Sequence, residues 1–225
     1  LDELKARASI LYEKLGDQQI KQKDYKEATK SYRESLNMFS NKNSYSKDTA
    51  RLNEKLGEAY ELYQQIDNAA KHYKQALEIK LATKEKDEKS LALSYMYLGS
   101  ISIKKEEYEE AIKYFSEAIQ VLTQEEKDDE PSSLLERAFY LRGMCYDHLM
   151  KFEEAYNDYQ NALINLPEDQ LEIKFQITKT SNNSSPIKSL DNSFHRDPHD
   201  FIFDSMSQKP ETFSEYEEET SDILQ

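Results

Sequence analysis

The stretch LGSISIKKEEYEEAIKYFSEAI, residues 98–119, decides the fold. In it Gly99 is followed at nine residues by Tyr108, at twelve by Ala111, at sixteen by Phe115 and at nineteen by Ala118. The same spacing recurs three times: from Gly16 to Tyr25, Ala28, Tyr32 and Ser35; from Gly57 to Ile66, Ala69, Tyr73 and Ala76; and from Gly143 to Phe152, Ala155, Tyr159 and Ala162. The residue before the glycine is Leu15, Leu56 or Leu98, with Arg142 as the exception. These four glycines, 41, 42 and 44 residues apart, are all the glycine the 225-residue chain has, so none is left for loops.

Each unit reads as two antiparallel helices. The segments flanking the polar turns Lys21–Asp24, Gln64–Gln65, Lys104–Glu107 and Met150–Lys151 lack proline and are rich in helix formers. A glycine inside a helix costs roughly 1 kcal/mol relative to alanine, and the expected return is close approach of the paired helix at the small alanine. The aromatic residues are expected to fill the wedge between one hairpin and the next. A hairpin with apolar surface on two sides has to stack, which gives a solenoid.

Composition narrows the function. Acidic residues outnumber basic ones 44 to 30, a formal charge of −14, with 33% of residues charged and a mean hydropathy of −0.92. No uncharged run approaches the roughly 18 apolar residues of a bilayer helix. The scattered cations also argue against nucleic acid, whose capture needs a net-basic face. A lone cysteine, Cys145, forms no intrachain disulfide and fits a reducing, cytoplasmic setting. The chain opens on Leu1, which reads as a piece of something longer.

The pattern resembles the tetratricopeptide repeat over Tyr12–Phe39, Asn53–Ile79, Tyr95–Leu122 and Phe139–Pro167, with EEAIKYFSEAI at 109–119 the nearest to its consensus. The units are longer than the family's usual 34 residues, resembling those of kinesin light chains and the Pins-type polarity adaptors. The resemblance implies an all-α, right-handed superhelical solenoid of four antiparallel hairpins at about 9–42, 50–83, 92–125 and 136–169. Residues 1–167 form the array, 168–180 a possible capping segment and 181–225 an acidic tail. It implies a non-enzymatic scaffold or adaptor that binds a protein partner, a peptide or helix, in a concave groove. A structural subunit docking through its convex face and repeat ends, or a regulatory module whose tail occupies the groove, is the alternative.

The resemblance places the groove on the first helix of each hairpin, six, three and two residues before the glycine and one and four after it. Its peptide-contacting positions here are Arg51, Glu54 and Glu58 in the second repeat, Met96, Tyr97 and Ser100 in the third, and Arg137, Tyr140, Leu141 and Met144 in the fourth. The groove is thus charged early and apolar late, although Leu93, Met96, Leu141 and Met144 equally suit helix packing. Chaperone-binding members grip a C-terminal carboxylate with cations and asparagines where this chain has Glu13, Asp17, Lys55, Leu93 and Tyr97, so such tails are disfavoured. The asparagine ladder of the Pins-type adaptors is missing too.

After Pro167 the pattern stops. LEIKFQI at 171–177 alternates like a strand, while the family expects a capping helix there. Residues 181–225 contain Pro186, Pro198 and Pro210 and carry 3 basic against 10 acidic residues, half of the chain's net charge. Within them HDFIFDSM, 199–206, is an apolar island whose Phe201, Ile202 and Phe203 read either as a recognition motif, for this chain's own groove or for a different protein, or as an incidental loop packing against the outer helices. No cofactor, metal or catalytic constellation is expected. His195 and His199 have only loose metal-like spacing, His72 reads as exposed, and Cys145 reads as a small packed hydrophobe.

Overall fold

In the computed structural model the described residues are 2–38, 46–83, 87–124 and 133–164. They form eight helices and no strand. The order is α1 (Asp2–Lys21), α2 (Tyr25–Met38), α3 (Lys47–Leu62), α4 (Ile66–Ala82), α5 (Glu88–Lys104), α6 (Tyr108–Gln124), α7 (Ser133–His148) and α8 (Phe152–Ile164). Helices pair as α1·α2, α3·α4, α5·α6 and α7·α8, and each second helix packs on the first helix of the next hairpin. This is the tetratricopeptide-like solenoid. Part of the extra repeat length forms helix caps: Ser46 accepts a hydrogen bond from the Thr49 N–H at 3.2 Å, and Asp87 from the Ser90 N–H at 3.0 Å. The expected capping segment and acidic tail lie outside the described residues.

All four hairpin turns share one backbone solution. Lys23, Gln64, Glu106 and Met150, each seven residues after its glycine, adopt φ between 57° and 62°. The next residue's N–H returns to a carbonyl five residues back: Asp24 to Gln19, Gln65 to Tyr60, Glu107 to Ser102 and Lys151 to Tyr146, at 2.8–2.9 Å. This ends each first helix in a Schellman cap whose left-handed position is held by a residue other than glycine, at a cost of about 1 kcal/mol.

The conserved spacing has a different partner from the one the sequence implied. A Cβ on Gly16, Gly57, Gly99 or Gly143 would come within 2.5–2.8 Å of the ring sixteen residues on: Tyr32, Tyr73, Phe115 or Tyr159. The glycine therefore makes room for the aromatic ring of its own hairpin, not for the alanine. Ala28, Ala69, Ala111 and Ala155 are buried at the helix crossing beside it. Burying a ring such as Phe115 contributes roughly 2–3 kcal/mol, more than the glycine costs. The rings also serve the wedge, since Tyr73 stacks on Tyr97 of the next hairpin with centroids 4.9 Å apart.

One continuous core runs from α2 through α7, from Tyr32 and Leu52 to Leu141 and Cys145. Its first end is open. Leu15 is 43% exposed, whereas its counterparts Leu56 and Leu98 are 0% and 1% exposed because a preceding second helix covers them. Where the fourth repeat replaces that leucine, Arg142 donates two hydrogen bonds to Asp158, both 2.7 Å, and a third at 2.9 Å to Ser116 of α6. The exception thus joins the third and fourth hairpins through a charge-assisted fork.

Candidate functional site: the first-helix face

Consecutive first helices lie side by side and their side chains interlock. Glu13 of α1 accepts from Arg51 and is 2.8 Å from the Lys55 ammonium on α3. Burial raises the Glu13 carboxyl, but the Arg51 and Lys55 hydrogen bonds outweigh it and hold the group below the usual carboxylate range. Lys55 also donates to both oxygens of Asp17, at 2.7 and 2.8 Å, and Asp17 accepts from the Tyr32 hydroxyl at 2.7 Å. On α3, Glu54 accepts from Lys80 at 2.5 Å and from Ser94 of α5 at 2.6 Å. Glu61, fully buried, accepts from Tyr73 at 3.0 Å and pairs with Lys104 of α5 at 2.8 Å. Between these partners sits Glu58, whose carboxyl is pushed up to about 8, first by burial and then by the neighbouring Glu61 charge, against the pull of Lys55.

The ten sequence-derived positions separate into two groups. Arg51 and Glu54 line an open cleft, and Glu58, Tyr140 and Met144 keep part of their surface. Met96, Tyr97, Ser100, Arg137 and Leu141 are buried. For these five the expectation of an exposed groove is corrected: α5 and α7 are enclosed by their own second helix, the preceding second helix and each other. Met96 and Leu141 belong to the core, and Tyr97 shows only an edge to the cleft. The signal was present in the uncharged run LALSYMYLGSISI, 91–103, because a helix without a polar face is buried all round. Phe201, Ile202 and Phe203 lie outside the described residues.

The open part of this face is a cleft of about 550 Å3 where α3, the end of α4 and the start of α5 meet. Ala50, Leu81, Leu91, Leu93 and Tyr97 give it apolar walls, and Lys47, Arg51, Lys80, Lys89, Asp48, Glu54 and Asp87 form its charged surround. Sequence reasoning found Arg51, Glu54, Leu93 and Tyr97 but missed Lys80, Leu81 and Lys89, which come from a helix end and a helix start brought together by the stack.

Other reactive groups are committed to structure. His72 is half-buried, stacked on Tyr60 at 5.4 Å and bonded to Asn53 at 2.9 Å, which corrects its reading as exposed. Burial, then Lys71 and Arg33, push its imidazole down to about 4. Cys145 is buried and its thiol is pushed up to about 12 by burial and then by Asp158. Among the described residues no group of three His, Cys, Asp or Glu is placed to hold a metal ion, and no helix is long and apolar enough to cross a membrane.

Comparison with known proteins bears on this geometry. Residues 7–82 and 92–121 each match a family model described as tetratricopeptide repeat. No curated protein matches the chain in sequence. Among solved structures, BtubC (BKLC) from P. vanneervenii is similar at a TM-score of 0.66 and 19% identity, over 93% of this chain and 92% of that one. Aspartyl phosphate phosphatase F from Bacillus subtilis is similar at 0.64 and 20% identity, over 77% of this chain and 45% of that one. The MamA protein is similar at 0.55 and 19% identity, over 77% and 87%. At these identities the likeness carries the fold alone. Residues 7–82 and 92–121 are thus tetratricopeptide repeats, and the fourth hairpin is built on the same glycine, alanine and aromatic columns.

Proposed function

We propose that this chain is a non-enzymatic scaffold or adaptor that holds a peptide or partner helix against its first helices, seated in the cleft between the second and third hairpins. Tetratricopeptide repeats are in general protein-interaction scaffolds, and the family is generally non-enzymatic. The cleft carries the reading. Its volume of about 550 Å3 falls within the roughly 300–1,000 Å3 of ligand pockets, and apolar walls with a charged surround suit a side chain anchored by burial and oriented by polar contacts. Glu13 and Asp17, already bonded to cations of α3, support the view that an acidic chaperone tail is not the ligand. The single buried thiol fits a cytoplasmic setting.

The reading as a structural subunit keeps one specific support. Leu4, Ile10, Leu11 and Leu15 are exposed on α1, a patch that suits end-on docking.

Panning a random peptide library against the full chain, then titrating the best binder into the unaltered chain and into Leu81→Asp, tests the cleft. Leu81 is 54% exposed, so the change spares the core. At least tenfold weaker binding to Leu81→Asp is expected. Undiminished binding, or a loss on Lys113→Glu of the exposed α6 surface instead, overturns the proposal.

A further inference from the structure

The cleft differs in charge from the chain as a whole. Four cations, Lys47, Arg51, Lys80 and Lys89, line it with three carboxylates, Asp48, Glu54 and Asp87. Its net charge is thus positive in a chain of −14. All three carboxylates are already oriented by partners within the protein. Asp48 accepts from Arg51 at 3.2 Å, Glu54 from Lys80 and Ser94, and Asp87 from the Ser90 N–H at the start of α5. Lys89 is exposed at the edge. The complementary ligand is an apolar side chain flanked by acids.

The chain contains such a segment. In HDFIFDSM, 199–206, Phe201, Ile202 and Phe203 stand between Asp200 and Asp204, with Asp197 just upstream. In an extended peptide alternate side chains share a face, so Phe201 and Phe203 enter a cleft together while Asp200 and Asp204 stay toward its edge. Residues 165–199 separate residues 200–204 from the end of α8. A chain of that length extends to about 120 Å. The cleft lies two hairpins away, about 20 Å at 8–10 Å per packed helix layer.

We propose that residues 200–204 dock in the cleft of α3, α4 and α5, with Phe201 and Phe203 against Leu81, Leu91 and Leu93 and the aspartates toward Lys47 and Lys89, as an internal competitor for the partner. This rests on the reading of the cleft as a peptide site. Tethering supplies an effective concentration on the order of 1 mM, so even weak intrinsic affinity, near 100 µM as an order of magnitude, masks the cleft about tenfold.

The test uses the labelled peptide of residues 197–206, DPHDFIFDSM, titrated into three forms of the full chain: unaltered, Phe201→Ala/Phe203→Ala, and that double variant with Leu81→Asp and Lys89→Glu added. The peptide is expected to bind the double variant about tenfold more tightly than the unaltered chain, and the added cleft changes are expected to remove that binding while helical circular dichroism is retained. Equal affinity for the first two forms, no binding to the double variant, or binding that survives the cleft changes overturns the proposal. Library peptides that still lose affinity on Leu81→Asp then leave the peptide site standing while its internal competitor falls.

Discussion

The joint between the first and second hairpins and the joint between the third and fourth use the same backbone and different chemistry. The first adds a layer of charge to an apolar core that includes Tyr32, Leu52 and Leu56: Arg51 and Lys55 bridge to Glu13 and Asp17, Arg33 donates to the Tyr60 hydroxyl, and the Lys55 ammonium lies 6.0 Å from the centroid of the Tyr32 ring. The other is made largely of apolar contact, with Phe115, Ile119 and Leu122 against Ala138, Leu141 and Cys145, supplemented by the Arg142 fork and the Tyr108–His148 stack at 4.4 Å. The glycine, alanine and aromatic columns fix how a hairpin closes and leave open what glues it to its neighbour. The cleft lies between these two joints, where charged and apolar chemistry meet on one surface.

Replacing the buried cation at the middle joint has the largest expected effect. Lys104→Ala removes the ammonium paired with the buried Glu61 carboxylate, and a loss of about 3 kcal/mol in denaturant unfolding is expected. A loss below 1 kcal/mol shows that Glu61 is satisfied without it. Next comes Gly99→Ala. Alanine ordinarily improves a helix by about 1 kcal/mol, but here its Cβ meets the Phe115 ring at 2.7 Å, so a net loss of about 2 kcal/mol is expected. A gain in melting temperature contradicts the account of the glycine column.

Glu58 gives a smaller, pH-dependent effect. Its folded carboxyl titrates near 8 and its unfolded one near 4.5, so the folded chain binds the extra proton and stability falls as pH rises between those values. His72 acts in the opposite sense between about 4 and 6.5, where the unfolded chain binds the proton and stability rises with pH. The window from pH 6.5 to 8 therefore isolates Glu58. There Glu58→Gln is expected to flatten the decline and to stabilise the chain by on the order of 1–2 kcal/mol at pH 8. An unchanged slope contradicts the burial of this acid.

The smallest effect separates the two joints directly. Arg51 is 47% and Lys55 27% exposed, so raising salt from 50 mM to 500 mM screens the first joint by about 0.5–1 kcal/mol. Amide exchange is expected to quicken in α1 and α2 while α6 and α7 hold. Equal quickening at both joints removes the distinction.

The fold was legible because its columns record contacts that tolerate few residue types: a glycine under a ring, an alanine at a crossing. The turn column was not legible. Lys23, Gln64, Glu106 and Met150 have nothing chemical in common, since backbone geometry selects the position and their side chains face solvent. The site was legible in part. Position relative to the glycine located Arg51 and Glu54, but it treated every first helix alike, and the enclosure of α5 turned Met96 and Ser100 inward. Leu81 and Lys89 belong to no repeat column and became visible only once α4 and α5 were set side by side.

Hydrogen–deuterium exchange on the full chain, with and without the best library-selected peptide, tests the central claim most directly. A peptide seated in the cleft is expected to slow exchange in residues 47–54 and 88–97, at the starts of α3 and α5. Slowing confined to α6 and α8, or no slowing anywhere at saturating peptide, contradicts a binding site on the first-helix face.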